Sequence, residues 1–147
     1  MDEISFMVVN EEKFQVGTVK SRILIADPDP DVSHTLQLYF QSYGHEVQLI
    51  DKAADIVKTA RQWQPNAILI STEVTDRNPY QVCQEVLEDT LTAHIPLIML
   101  LHLDERTTRL AALEAGVDDI ITKPIDIEEL RLRVEAAIRL STIRVQA

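Results

Sequence analysis

Short apolar runs alternate along the chain with stretches whose apolar residues recur every third or fourth position. Ala67 to Ile70 is one such run, bounded by Pro65-Asn66 and closed by Ser71; apolar throughout, it reads as a strand buried on both faces in the middle of a sheet. Arg22 to Asp27 carries a similar run, and Leu97 to Leu101 another, while Glu46 to Ile50 and Asp119 to Thr122 read as shorter strands. Between them the period changes to that of a helix. Asp29 is a good N-cap and Pro30 suits the first helical position; Val32, Leu36 and Phe40 then give one buried stripe to about Tyr43, and Gly44 ends it. Ala53 to Trp63 repeats the pattern with Ile56, Ala60 and Trp63 on one face and Pro65 as the stop. Thr72 to Pro79 is loop chemistry, followed by a helix from Tyr80 to about Asp89 and another from Glu105 to Ala115 that stops at Gly116. After Lys123-Pro124, Asp126 and Glu129 form a capping box for a last helix whose Leu130, Val134, Ala137 and Ile138 face inward.

Strands alternating with helices at this spacing predict right-handed crossovers and a five-stranded parallel sheet between two helical layers. Ser71 then lies at the carboxyl end of a central strand, the edge at which open α/β sheets bind ligands. Residues 1–20 read as an N-terminal extension, with Ile4 to Val9 and Phe14 to Val19 forming a hairpin or a poorly ordered leader, and residues 21–147 as one domain.

Composition narrows the functions. The chain has 147 residues, 46% of them hydrophobic, enough for one compact core. Its longest apolar stretch, Ile95 to Leu101, is far short of the roughly 20 residues a membrane helix needs. Met-Asp-Glu at the start lacks the basic flank of a signal peptide, so a cytoplasmic location without membrane contact is expected. A formal charge of -10 argues against nucleic-acid binding, which needs clustered Lys and Arg. The single cysteine, Cys83, shares an apolar helix face with Val82, Val86 and Leu87 and reads as a small buried hydrophobe. His34, His45, His94 and His102 have no ligand spacing and read as surface or rim residues.

Four segments, ILIADPDPDV, PNAILIS, IPLIML and above all GVDDIITKP (Gly116 to Pro124), resemble in order the receiver domain of two-component response regulators. The resemblance covers about Ser21 to Leu140 and implies a flavodoxin-like, doubly wound fold with strand order 2-1-3-4-5. In that family two acidic residues after the first strand and an aspartate ending the third hold Mg²⁺, and the last accepts a phosphoryl group. Here those positions are Asp27, Pro28 and Ser71, and the switch positions of the fourth and fifth strands are Leu101 and Ile120. Magnesium requires anionic oxygen ligands, so weak or no binding is expected, with Asp27 and Asp29 as the only weak candidates. Ser71 has no base beside it in sequence, and neither switch residue can hydrogen-bond a phosphate. Lys123 is expected to pair with Asp27. Glu73 is read as a solvated loop carboxylate, although it lies close enough in sequence to swing in and imitate a phosphorylated aspartate.

The resemblance therefore implies a degenerate receiver, not an enzyme, that meets signalling proteins of a two-component pathway through contacts independent of phosphorylation. The competing expectation is a Mg²⁺-dependent switch that uses Asp27, Asp29, Glu73 or Asp76 as a non-standard carboxylate. Arg131, Arg133, Arg139 and Arg144 either form a solvated face or meet Asp104, Glu105, Glu114 and Asp118 across a dimer axis, because related receivers dimerise through the fourth helix, fifth strand and fifth helix.

Overall fold

The structure, a computed structural model, describes residues 20–102 and 106–146, with side chains through residue 142. The expectations for the leader, for Asp104 and Glu105, and for the Arg144 side chain lie outside these residues. Five parallel strands, β1 (Arg22–Ala26), β2 (Glu46–Ile50), β3 (Ala67–Ser71), β4 (Leu97–Leu101) and β5 (Asp119–Thr122), form one sheet in the order β2-β1-β3-β4-β5. The helices are α1 (Pro30–Ser42), α2 (Ile56–Trp63), α3 (Pro79–Glu88), α4 (Arg106–Glu114) and α5 (Ile127–Gln146).

Alternate side chains of the inner strands feed two separate cores. Leu24, Ala26, Ile68, Ile70, Leu97, Met99 and Leu101 pack with Ile56 and Ala60 of α2, Val82, Cys83 and Val86 of α3 and Ala112 of α4. Ile23, Ile25, Leu69, Ile98 and Leu100 face the other way, onto Leu36 and Phe40 of α1 and Leu130 and Val134 of α5. Every residue of β3 and β4 is buried, which is why those segments carry no polar alternation. Burial of each large side chain contributes about 1.5–3 kcal/mol, and a face lost on either side of the sheet would forfeit several of these.

The helix ends follow local chemistry, with three departures from the sequence pattern. The Asp29 side chain accepts from the Asp31 N–H, Pro30 opens α1, and Gly44 (φ 89°) and Gly116 (φ 90°) adopt the left-handed conformation just past α1 and α4. The helix expected from Ala53 begins instead as a 3₁₀ turn, Ala53–Asp55, because the Asp76 carboxylate accepts from the N–H groups of Ala53 and Ala54, both at 2.9 Å. That helix ends through Gln64 at φ 51°, whose amide donates to the carbonyls of Ala60, Arg61 and Leu91. α3 starts at Pro79, one residue before the expected Tyr80, since the Asn78 side chain accepts from Tyr80 N and Gln81 N. Among the described residues no helix is long and apolar enough to cross a membrane.

Candidate functional site

The register sets Ala26 opposite Ile70 and Leu101 opposite Thr122, so the loops after β1, β3, β4 and β5 open on the same edge of the sheet. Asp27 leaves β1 with its side chain fully buried. One of its oxygens accepts from the Asp29 N–H at 2.9 Å and the other from Lys123 Nζ at 2.8 Å. The expected ion pair is present, and a buried carboxylate of this kind requires it. Ser71, fully buried at the end of β3, accepts at Oγ from the Glu73 N–H at 3.0 Å and lies 3.5 Å from Lys123 Nζ.

Glu73 corrects the expectation of a solvated carboxylate. Its Oε1 is bonded to Lys123 Nζ, and its Oε2 lies 3.2 Å from His102 Nδ1. Two carboxylates thus share one lysine, where one ion pair was expected. The loop turns because the Ser71 hydroxyl takes the Glu73 N–H and Val74 is buried against the core, and that turn aims Glu73 inward. Burial alone would lower the Lys123 pKa, but the hydrogen bonds to Asp27 and Glu73 outweigh it and hold the ammonium above its ordinary value.

The remaining candidates divide by position. Pro28 is exposed and brings no carboxylate. Asp29 is engaged as the α1 cap. Asp76 is turned toward Ala53 and Ala54, and those N–H groups, Ala54 foremost, keep its carboxyl below the usual range. Leu101 is fully buried, and Ile120 packs against the same core, so this wall of the pocket is hydrocarbon. Next to it, the Thr122 hydroxyl is buried with no hydrogen-bond partner among the described residues.

Magnesium needs several anionic oxygens with free lone pairs. At the three positions that hold the ion in the family, the donors here are one carboxylate with both oxygens already engaged, a proline, and a hydroxyl that accepts from backbone, a set that matches this requirement poorly. Among the described residues no group of three or more His, Cys, Asp or Glu is arranged to hold a metal.

Two further expectations are revised away from the pocket. His45 is buried, not at the rim: its Nε2 lies 3.0 Å from Glu135 Oε2, because the α1 to β2 turn tucks the ring against Phe40. Of the α5 arginines, Arg131 and Arg133 are engaged within the chain. Arg131 bonds Glu135 and the Tyr39 hydroxyl and stacks 3.9 Å from the Tyr43 ring centre, while Arg133 bonds Glu129 and both oxygens of Asp119. Arg139 is exposed, and Asp118 accepts from the Leu97 N–H at 2.8 Å. Cys83 is buried as expected, and burial pushes its thiol pKa up to about 12.

The model of the response regulator receiver domain matches residues 23–135, and the chain belongs to that family. It is 36% identical over 121 residues to the DNA-binding dual master transcriptional regulator RpaA of Synechocystis sp., covering 80% of this chain and 49% of that protein. It is 30% identical over 118 residues to Protein PilH of Pseudomonas aeruginosa, covering 80% of this chain and 98% of PilH. The chain thus spans about half the length of RpaA and nearly all of PilH. In structure it is similar, at TM-score 0.75 and 22% identity, to the receiver domain of the P. aeruginosa sensor histidine kinase PA1611, with 82% of this chain and 98% of that one covered; that structure holds a magnesium ion in its active-site cleft. The protein is a receiver of two-component signalling with the flavodoxin-like fold.

Proposed function

We propose that this receiver is a protein-interaction module that works without phosphorylation, and not a phosphotransfer enzyme. One observation carries the reading: at the acceptor position stands Ser71, a buried hydroxyl that accepts from the Glu73 N–H, while Lys123 is already bound by two carboxylates of the chain. A serine becomes a nucleophile when a base takes its proton, and among the groups that contact Ser71 Oγ are a backbone N–H and an ammonium, which are donors. Magnesium binds weakly or not at all. The partners are signalling proteins of a two-component pathway in the cytoplasm, and nucleic acid is no ligand of this domain, consistent with its charge of -10. Residues 1–20 are an extension to a receiver domain of residues 21–147. Exposed Leu110 and Leu113 on α4 with Leu132 and Leu140 on α5 support self-association through the α4, β5, α5 face.

A small phosphodonor such as radiolabelled acetyl phosphate, given with Mg²⁺, tests this directly. The expected result is no stable label on the native protein, none on Ser71→Asp, and labelling only when Pro28→Asp accompanies Ser71→Asp. Mg²⁺-dependent label on the native chain overturns the reading and shifts attention to Asp27, Asp29, Glu73 and Asp76 as the non-standard carboxylate.

A further inference from the structure

The last rung between β3 and β4 is made by a side chain. In a parallel ladder a residue bonds the neighbouring strand through its own N–H on one side and its own carbonyl on the other. Thr72, the residue after β3, follows this rule with its N–H, which donates to the Leu100 carbonyl at 3.0 Å. The return bond comes from the His102 N–H, and it goes to Thr72 Oγ1 at 3.1 Å, where a regular ladder would use the Thr72 carbonyl. The backbone is already turning out of the sheet here, since Ser71 Oγ takes the Glu73 N–H and the Ser71 carbonyl takes the Val74 N–H at 3.4 Å. The hydroxyl thus carries the ladder one residue past the strand, and it donates in turn to the Leu100 carbonyl at 3.4 Å. One residue on, Glu73 Oε2 lies 3.2 Å from His102 Nδ1. His102 is therefore held at its main chain and at its ring by successive residues of the β3 to α3 loop, shortly before α4 begins at Arg106.

We propose that Thr72 is a positioning residue that pins the end of β4, and with it the start of α4, in one placement, so that the α4 face is set by the chain itself. The inference deepens the reading that the domain works without phosphorylation, and rests on it. Leu101 is fully buried and its side chain has no polar atom, so the residue that ends β4 cannot fix the following loop by a side-chain hydrogen bond. From β5, the Lys123 N–H reaches the Leu101 carbonyl at 2.8 Å, one residue short of His102. The His102 side chain is more than half exposed, so burial does not fix it either, and the bonds from Thr72 and Glu73 take that part. Of these two, the bond to Thr72 decides the path of the chain. It holds a backbone N–H, whereas the contact with Glu73 holds a ring that can turn about its own side-chain torsions.

The test compares the native protein with Thr72→Val, which keeps the branched shape and loses the hydroxyl, and with Thr72→Ser, which keeps the hydroxyl. Amide hydrogen exchange and NMR relaxation dispersion are the readouts, with unmoved core amides of β1 and β3 as the check on folding. In the native protein the His102 amide is protected and the amides of α4 show no millisecond exchange. In Thr72→Val the His102 amide exchanges about three- to tenfold faster, the scale of one hydrogen bond, and the α4 amides acquire millisecond exchange. Thr72→Ser restores both. If valine leaves His102 and α4 as they are in the native protein, if the change stops at His102, or if serine restores neither, Thr72 positions nothing beyond itself and the proposal falls. The native protein alone can also overturn it, through an unprotected His102 amide or an α4 that already exchanges on the millisecond scale. No phosphodonor is present in these measurements, so their failure leaves the acetyl phosphate experiment to decide the wider reading separately.

Discussion

On one side of the pocket Asp27, Glu73 and Ser71 converge on Lys123 through hydrogen bonds, and on the other Leu101 and Ile120 present only hydrocarbon. The two walls belong to the same sheet edge, yet they hold it together by different physics. The charged wall is obligatory once Asp27 is buried, because a carboxylate out of water must keep its partner. The apolar wall stabilises by packing, and the side chains of Leu101 and Ile120 have no hydrogen bond to rearrange.

The sharpest break in this comparison is Lys123→Met, which leaves Asp27 buried without its cation and Glu73 facing it. The expected loss is about 3–5 kcal/mol. That is a large fraction of the stability of a domain this size, roughly 5–15 kcal/mol. Urea denaturation followed by circular dichroism measures it; a loss below about 1 kcal/mol would mean that the pair is hydrated and structurally idle.

The apolar wall is probed by Leu101→Thr. Burying a hydroxyl and losing methylene packing at a fully buried site costs about 2–3 kcal/mol together. Leu101 lies across the β4–β5 pair from Thr122, whose own buried hydroxyl has no partner among the described residues. The two hydroxyls are therefore expected to bond one another. In a double-mutant cycle with Thr122→Val, Leu101→Thr costs about 0.5–1 kcal/mol more when residue 122 is valine. No coupling would show that position 101 cannot turn a hydroxyl toward β5.

The same contrast marks what was legible in the residues. The apolar runs of β1, β3 and β4, the Asp29-Pro30 start of α1 and the glycines that end α1 and α4 were all readable, because each depends on burial or on neighbours a few residues away. Of the site, the Asp27–Lys123 pair was readable through the family pattern, and so was the loss of polar atoms at Leu101 and Ile120. The contact between Glu73 and Lys123 was not, since the two are 50 positions apart and meet only because the β3 to α3 loop turns on Ser71. His45 and Glu135, separated by 90 positions, are hidden for the same reason. A carboxylate in a loop has no periodicity to betray its partner. The signal that was available is chemical: once Ser71 replaced an acid beside a retained lysine, a second carboxylate had reason to approach.

The smallest effect expected concerns the far anchor of that loop, Asp76, and it separates the loop from both walls. Hydrogen bonds from Ala54 and Ala53 keep the Asp76 carboxyl below its ordinary value. A group whose folded pKa is depressed contributes stability that is present above its unfolded pKa, near 4 for aspartate, and lost as pH falls through the folded value. Asp76→Asn removes one of two acceptor oxygens and the charge, so it should lower the unfolding midpoint slightly at neutral pH, with the gap to the native protein narrowing below about pH 4. Thermal melts of both proteins between neutral pH and pH 3 measure that gap. A gap that stays constant into acid would mean that the turn Ala53–Asp55 holds without the Asp76 charge, and that Glu73 is presented to Lys123 by the Ser71 turn alone.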